Sequence, residues 1–131
     1  MASIFTKIIN REIPAHIVAE DEKHIAFLDI HPLMVGHTLV IPKREQDYLF
    51  DLTRDEIANL MVFAQRVAAA IKSAVPCQRI GVSVIGLEVP HAHVHLVPIN
   101  STQDINFANP KLTLSKEEFL NIAEKIKGNF K

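Results

Sequence analysis

The segment Val89-Pro90-His91-Ala92-His93-Val94-His95-Leu96-Val97-Pro98 constrains this chain more than any other. Side chains along an extended strand point alternately to its two faces. His91, His93 and His95 therefore share one face, and Ala92, Val94 and Leu96 share the other. The apolar face belongs against a core, and the run from His91 to Val97 reads as a strand. Three of the seven histidines stand in this single alternation, which ordinary packing seldom produces.

Shorter strand signals precede it. His16–Glu20 and His24–Asp29 flank the charged turn Asp21-Glu22-Lys23 and read as a hairpin. Asp29–Gly36 reads as a loop punctuated by Pro32 and Gly36, and His37–Ile41 as a third strand closed by Pro42. Thr53-Arg54-Asp55-Glu56 fits a capping box, after which Ile57, Leu60, Met61, Ala64, Val67, Ala68 and Ile71 recur at helical spacing up to Pro76. Arg79–Ile85 is a fourth strand, and Gly86–Pro90 is a turn before the histidines. Residues Pro98–Leu114 are polar and irregular. A second box, Ser115-Lys116-Glu117-Glu118, opens a helix with Phe119, Ile122, Ala123 and Ile126 on one side and Gly128 as its stop. The alternation of hairpin-linked strands with two helices predicts an α+β fold on an antiparallel sheet, one domain over residues 1–131.

Composition narrows the function. Fourteen Lys+Arg against 15 Asp+Glu disfavour a nucleic-acid binder. No apolar run approaches the roughly 18–20 residues that span a bilayer, and the N-terminus lacks the pattern of a secretory signal. The single cysteine, Cys77, forms no internal disulfide and excludes a zinc site built on several thiolates. A cytoplasmic protein with no membrane partner is expected.

Three readings of the histidine row compete. It can be a polar strand face and no more. It can supply metal ligands, although strand rise sets His91 and His95 roughly 13 Å apart at the backbone; two of the three, with ligands from elsewhere, could then reach one ion. Or it can be a nucleophilic site. A neutral imidazole attacks phosphorus without first losing a proton, and neighbouring rings fix its tautomer and donate hydrogen bonds to phosphate oxygens.

His-Ala-His-Val-His-Leu-Val is similar to the motif of the histidine-triad (HIT) family. So are Ile4–Pro14, the run Ala26-Phe27-Leu28-Asp29-Ile30-His31-Pro32, and the run Gly36-His37-Thr38-Leu39-Val40-Ile41-Pro42-Lys43. The shared core covers about residues 3–98, with a C-terminal extension over 99–131, and the Hint-like branch of nucleotide hydrolases fits best. The resemblance implies a five-stranded antiparallel sheet with a long central helix and a C-terminal helix, and a homodimer whose sheets join across the interface. It implies a purine nucleotide over the triad strand, with no cofactor. His93 would be the nucleophile, His95 would bond phosphate oxygens, His91 would orient the imidazoles and His37 would extend their network. Phe27, Asp29 and Ile30 map to the nucleoside pocket, with Asp29 on the ribose hydroxyls, and Phe5 and Ile8 wall the base. Without the resemblance the four apolar residues read as core.

The chain departs from the family in two places. Microbial relatives hold a structural zinc with ligands at positions that here are Ser3, Thr6, Glu45 and His91; no metal is expected from that set. Glu45 by itself reads as solvated surface. The Hint-like Gly-Gln-Ser turn is Gly86-Leu87-Glu88, and Ser83 stands nearest to an expected asparagine. Glu88 either donates a proton or selects an amine leaving group, or else repels anionic ones. The expected activity is hydrolysis of purine nucleotide phosphoramidates through a nucleotidyl-His93. The alternatives are a non-catalytic nucleotide-binding adaptor or sensor, or a dinucleoside polyphosphate hydrolase. Asn106–Pro110 either folds over a nucleotide or packs across the dimer. His16, His24 and His31 read as surface or structural, His31 being the one nearest the pocket.

Overall fold

Two helices begin where their hydroxyl-x-x-Glu patterns place them. In the computed structural model, which describes residues 2–131, Thr53 caps α2 (Arg54–Ala74) and Ser115 caps α3 (Lys116–Asn129), each box closed in both directions. Satisfying the free N–H groups of a first helical turn in this way is worth about 1 kcal/mol per cap.

Five strands form one sheet: β1 (Ile17–Glu20), β2 (His24–Leu28), β3 (Thr38–Pro42), β4 (Arg79–Ser83) and β5 (Val94–Ile99), in the order β1-β2-β3-β5-β4. Every adjacent pair is antiparallel. The β1–β2 turn is fixed by Asp21, whose carboxylate accepts the Lys23 and His24 backbone N–H groups.

The sheet buries both faces. Ala26, Leu28, Val40, Val94 and Leu96 pack with Leu60, Phe63, Ala64, Val67 and Ile71 of α2 and with Phe119, Ala123 and Ile126 of α3. The alternate residues Ile25, Phe27, Leu39 and Ile41 pack with Phe5 and Ile8 of a short helix, α1 (Ile4–Ile9). Each fully buried Leu, Ile or Phe contributes about 1.5–3 kcal/mol relative to exposure.

Three expectations are corrected. Met61 is 40% exposed, whereas Phe63 and Ala70 are buried; the apolar stripe turns slightly along α2 and leaves Met61 at its margin. Gly128 lies inside α3, which closes at Phe130. The histidine strand starts at Val94, not His91. The His91 N–H turns back to the Val89 carbonyl and the Ala92 N–H bonds Gln46 O at 2.6 Å, so residues 91 and 92 pair with a loop and a turn instead of with β3.

Gly36 has a φ of +92°, and a Cβ there would meet Val75 Cγ2 at 3.0 Å. The left-handed backbone and the close approach both call for glycine, and the bend delivers His37 to the start of β3.

Candidate active site

His93 and His95 line a cavity of about 320 Å³ on the α1 side of the sheet. Its other walls are Asp29, His31 and His37 from the β2–β3 loop, Ile85–Glu88 from the turn before the triad, and Phe107 and Lys111 from the C-terminal segment.

Hydrogen bonds fix which ring nitrogen carries each proton. The Leu33 backbone N–H donates to His37 Nδ1 at 3.0 Å, so the neutral ring holds its proton on Nε2. That Nε2 lies 3.0 Å from His95 Nδ1 and donates to it. His95 therefore presents Nε2–H as its remaining donor. On His93, Nδ1 lies 2.7 Å from the His91 carbonyl oxygen. A carbonyl only accepts, so Nδ1 carries a proton, and in the neutral ring Nε2 keeps its lone pair. The His93 and His95 rings meet edge-on at 5.0 Å. A ring that in its neutral form offers a lone pair thus stands beside a hydrogen-bond donor.

Burial keeps the relay uncharged. It pushes His37 down to about 3, helped by the positive fields of His95 and Lys111, and His95 down to about 4, with His93 adding to the effect. Asp29 Oδ2 is 3.6 Å from His37 Nε2, but a neutral ring makes no ion pair with it. Asp29 is itself raised by burial. Its Oδ1 accepts the His31 backbone N–H at 2.8 Å, which leaves Oδ2 facing other partners. One oxygen of Asp29 and one nitrogen each of His37 and His95 lie within 4.8 Å of one another; a metal ion there would have to break the His37–His95 bond.

The expected site residues fall into two groups. His93, His95, His37, Asp29, Gly86, Leu87 and Glu88 line the cavity. His91, Phe5, Ile8, Phe27, Ile30 and Ser83 do not. Phe5, Ile8 and Phe27 are core beneath the site, where the Phe5 ring meets the His93 ring edge at 5.0 Å. Ile30 is 60% exposed, and Ser83 pairs with His95 along β4. Phe107 and Lys111 also line the cavity, from a polar and irregular segment that lies outside the histidine motifs and in which a lone phenylalanine is the available sequence signal.

The His91 ring is fully buried away from the cavity. Its Nε2–H donates to Pro42 O at 2.8 Å and its Nδ1 accepts from Ser3 Oγ at 2.8 Å. Ser3 N–H and Thr6 Oγ1–H both donate to Glu45 Oε1, at 2.7 and 2.6 Å. These bonds hold the Glu45 carboxyl down at about 2; Glu45 lies on the exposed surface, as expected, and in addition anchors the start of α1. The four positions that would ligate a structural zinc do converge, but as a saturated hydrogen-bond cluster. Two neutral hydroxyls and a histidine nitrogen already accepting a proton do not fit zinc.

An antiparallel sheet that offers paired, neutral, tautomerically fixed imidazoles to one cavity defines a class of histidine-site α+β protein. Comparison with known proteins makes the class specific. The HIT domain model matches residues 10–102. An uncharacterised HIT-like protein of Borreliella burgdorferi is 34% identical over 96% of both chains. The adenosine 5'-monophosphoramidase of Schizosaccharomyces pombe is 31% identical over the full length of both. The crystal structure of a HIT-like protein from Bartonella henselae superposes with a TM-score of 0.83 at 32% identity, covering 98% of this chain and 96% of that one. The chain belongs to the HIT family. No helix among the described residues is long and apolar enough to cross a membrane.

Proposed function

We propose that this protein hydrolyses purine nucleotide phosphoramidates through a covalent nucleotidyl-His93. The observation that carries the reading is the bond from His93 Nδ1–H to the His91 carbonyl on a residue that lines the cavity, which leaves the Nε2 lone pair of the neutral ring for attack. His93 Nε2 attacks phosphorus and the P–N bond to the substrate amine breaks. The leaving nitrogen takes a proton from solvent at the open cavity mouth, where the Glu88 carboxylate favours a positively charged nitrogen. The ring becomes cationic, and its Nδ1–H bond to the carbonyl strengthens. His95 Nε2–H bonds a phosphoryl oxygen throughout. Water then attacks phosphorus, the Nε2–P bond breaks, one proton returns to solvent and the nucleoside monophosphate leaves.

Asp29 receives the ribose hydroxyls with its free oxygen. The purine preference draws support from the adenosine 5'-monophosphoramidase relative. We also propose that the protein works as a homodimer joined along β4, as one domain, in the cytoplasm where the lone Cys77 stays reduced. The test is turnover of an adenosine phosphoramidate by wild type and His93→Ala, with and without chelator. The expected result is chelator-insensitive turnover that His93→Ala abolishes. Turnover that survives the substitution would refute the nucleophile. Tight nucleotide binding without turnover in wild type would favour an adaptor role.

A further inference from the structure

Part of the cavity wall comes from a segment to which the chemistry above gives no role. After β5 the chain folds back through Asn106–Lys111 as a self-bonded turn. Ala108 N–H donates to Asn106 Oδ1 at 2.9 Å, Asn109 N–H to Asn106 O at 3.0 Å, and Asn109 Nδ2 to Gln103 O at 2.6 Å. Leu112 N–H donates to Pro32 O at 2.8 Å, which clips the turn onto the loop that carries Asp29 and His37. The Phe107 ring stands edge-on to His95 at 4.8 Å. Lys111 Nζ donates to Phe107 O at 2.6 Å and Asn109 O at 3.0 Å. An ammonium has three protons, so one remains for a ligand, and the charge is held at the cavity wall instead of sweeping through solvent.

The charges on the wall give that ammonium a purpose. Two carboxylates, Asp29 and Glu88, line the cavity, and among the described lining residues Lys111 is the one permanent cation. Its field reaches both Asp29 and His37. His37 and His95 are neutral and contribute hydrogen bonds without charge. A phosphoryl anion brought among two carboxylates and uncharged rings needs a compensating positive charge.

We propose that Lys111, fixed by the Asn106–Lys111 turn, is the cation that binds the phosphoryl group of the nucleotide beside His93 and His95. This rests on the nucleotide reading given above and adds to it a binding residue outside the histidine motif. The ligand class is a nucleoside 5'-phosphate or its amide, and the uncharged nucleoside does not engage Lys111.

The test is calorimetric titration of wild type, Lys111→Gln and Lys111→Arg with adenosine monophosphate and with adenosine, at low and raised salt. The exposed position of Lys111 allows both variants to fold, which thermal melting checks. Lys111→Gln is expected to weaken adenosine monophosphate binding about tenfold, to reduce its salt dependence and to leave adenosine binding unchanged. Lys111→Arg is expected to recover most of the loss. Unchanged nucleotide affinity in Lys111→Gln overturns the proposal. So does an equal loss for adenosine, which would mark a packing role for the turn. Wild type that binds adenosine monophosphate no better than buffer overturns the nucleotide reading itself.

Discussion

The direction of the imidazole relay is set by a group that cannot rotate. The Leu33 amide can only donate, so His37 must accept at Nδ1, and the order of protons runs one way to His95 Nε2. Protonating either ring destroys that order, and burial opposes it. The unfolded chain binds a proton at a histidine below about pH 6.5, but folded His95 resists until about 4 and His37 until about 3. Below 6.5 the unfolded state therefore holds more protons, and stability falls with falling pH. His95 alone accounts for a loss on the order of 3 kcal/mol between pH 6.5 and 4. Urea unfolding midpoints measured across that window are expected to drop steeply in wild type and less steeply in His95→Asn. Equal slopes would show that His95 is not held neutral. The alternation of the strand is enough to put His93 and His95 on one side, whereas Asp29 and His37 are legible only through the resemblance of their motifs to the family, since nothing in their spacing brings them to the triad. The inward turn of the His91 ring was hidden, because its partner Ser3 lies 88 positions away.

At the level of elements, the sequence announced α2 and α3 through capping boxes that are complete within four residues. It did not announce α1. Ser3 caps that helix by accepting Thr6 N–H at 3.0 Å, while its own N–H is held by Glu45, 42 positions distant. The first histidine is likewise outside β5, since its backbone is held by a turn and its ring by Pro42. The cluster joins α1, the end of β3 and the segment entering β5, and through the His91 carbonyl it sets the Nδ1 bond of His93. Ser3→Ala removes the cap of α1 and strands the His91 Nδ1 acceptor. The expected cost is about 1–3 kcal/mol in stability, with a fall in kcat larger than any change in KM, because the residue acts on the proposed nucleophile, His93, through His91 and does not line the cavity. A variant with lower stability but unchanged kcat would limit the cluster to structure.

Across the whole molecule, the two edges of the sheet are finished differently. On β1, Glu20 pairs with Arg11 at 2.6 Å and with Lys43 at 2.7 Å, and α3 packs against the strand. Such charges and cover block pairing with another chain. At the other edge, β4 carries Val82, 53% exposed, and the chain beyond it exposes Val84, Ile85 and Leu87. An uncovered edge with apolar side chains is a template for a second strand, and a second copy offering the same edge antiparallel satisfies both by two-fold symmetry. The proposed dimer would therefore continue the sheet from β4 to its partner, placing the Ile85–Glu88 wall of each cavity close to the junction. Val82→Asp puts a carboxylate on that edge, and in a symmetric pair it puts two there, facing each other. The variant is expected to run as a monomer by light scattering at concentrations where wild type runs as a dimer. Because Val82 is exposed in the single chain, its folded core should be unaffected by circular dichroism. A variant that stays dimeric would move the interface away from β4, and a wild type that is monomeric would leave that edge to some other protein.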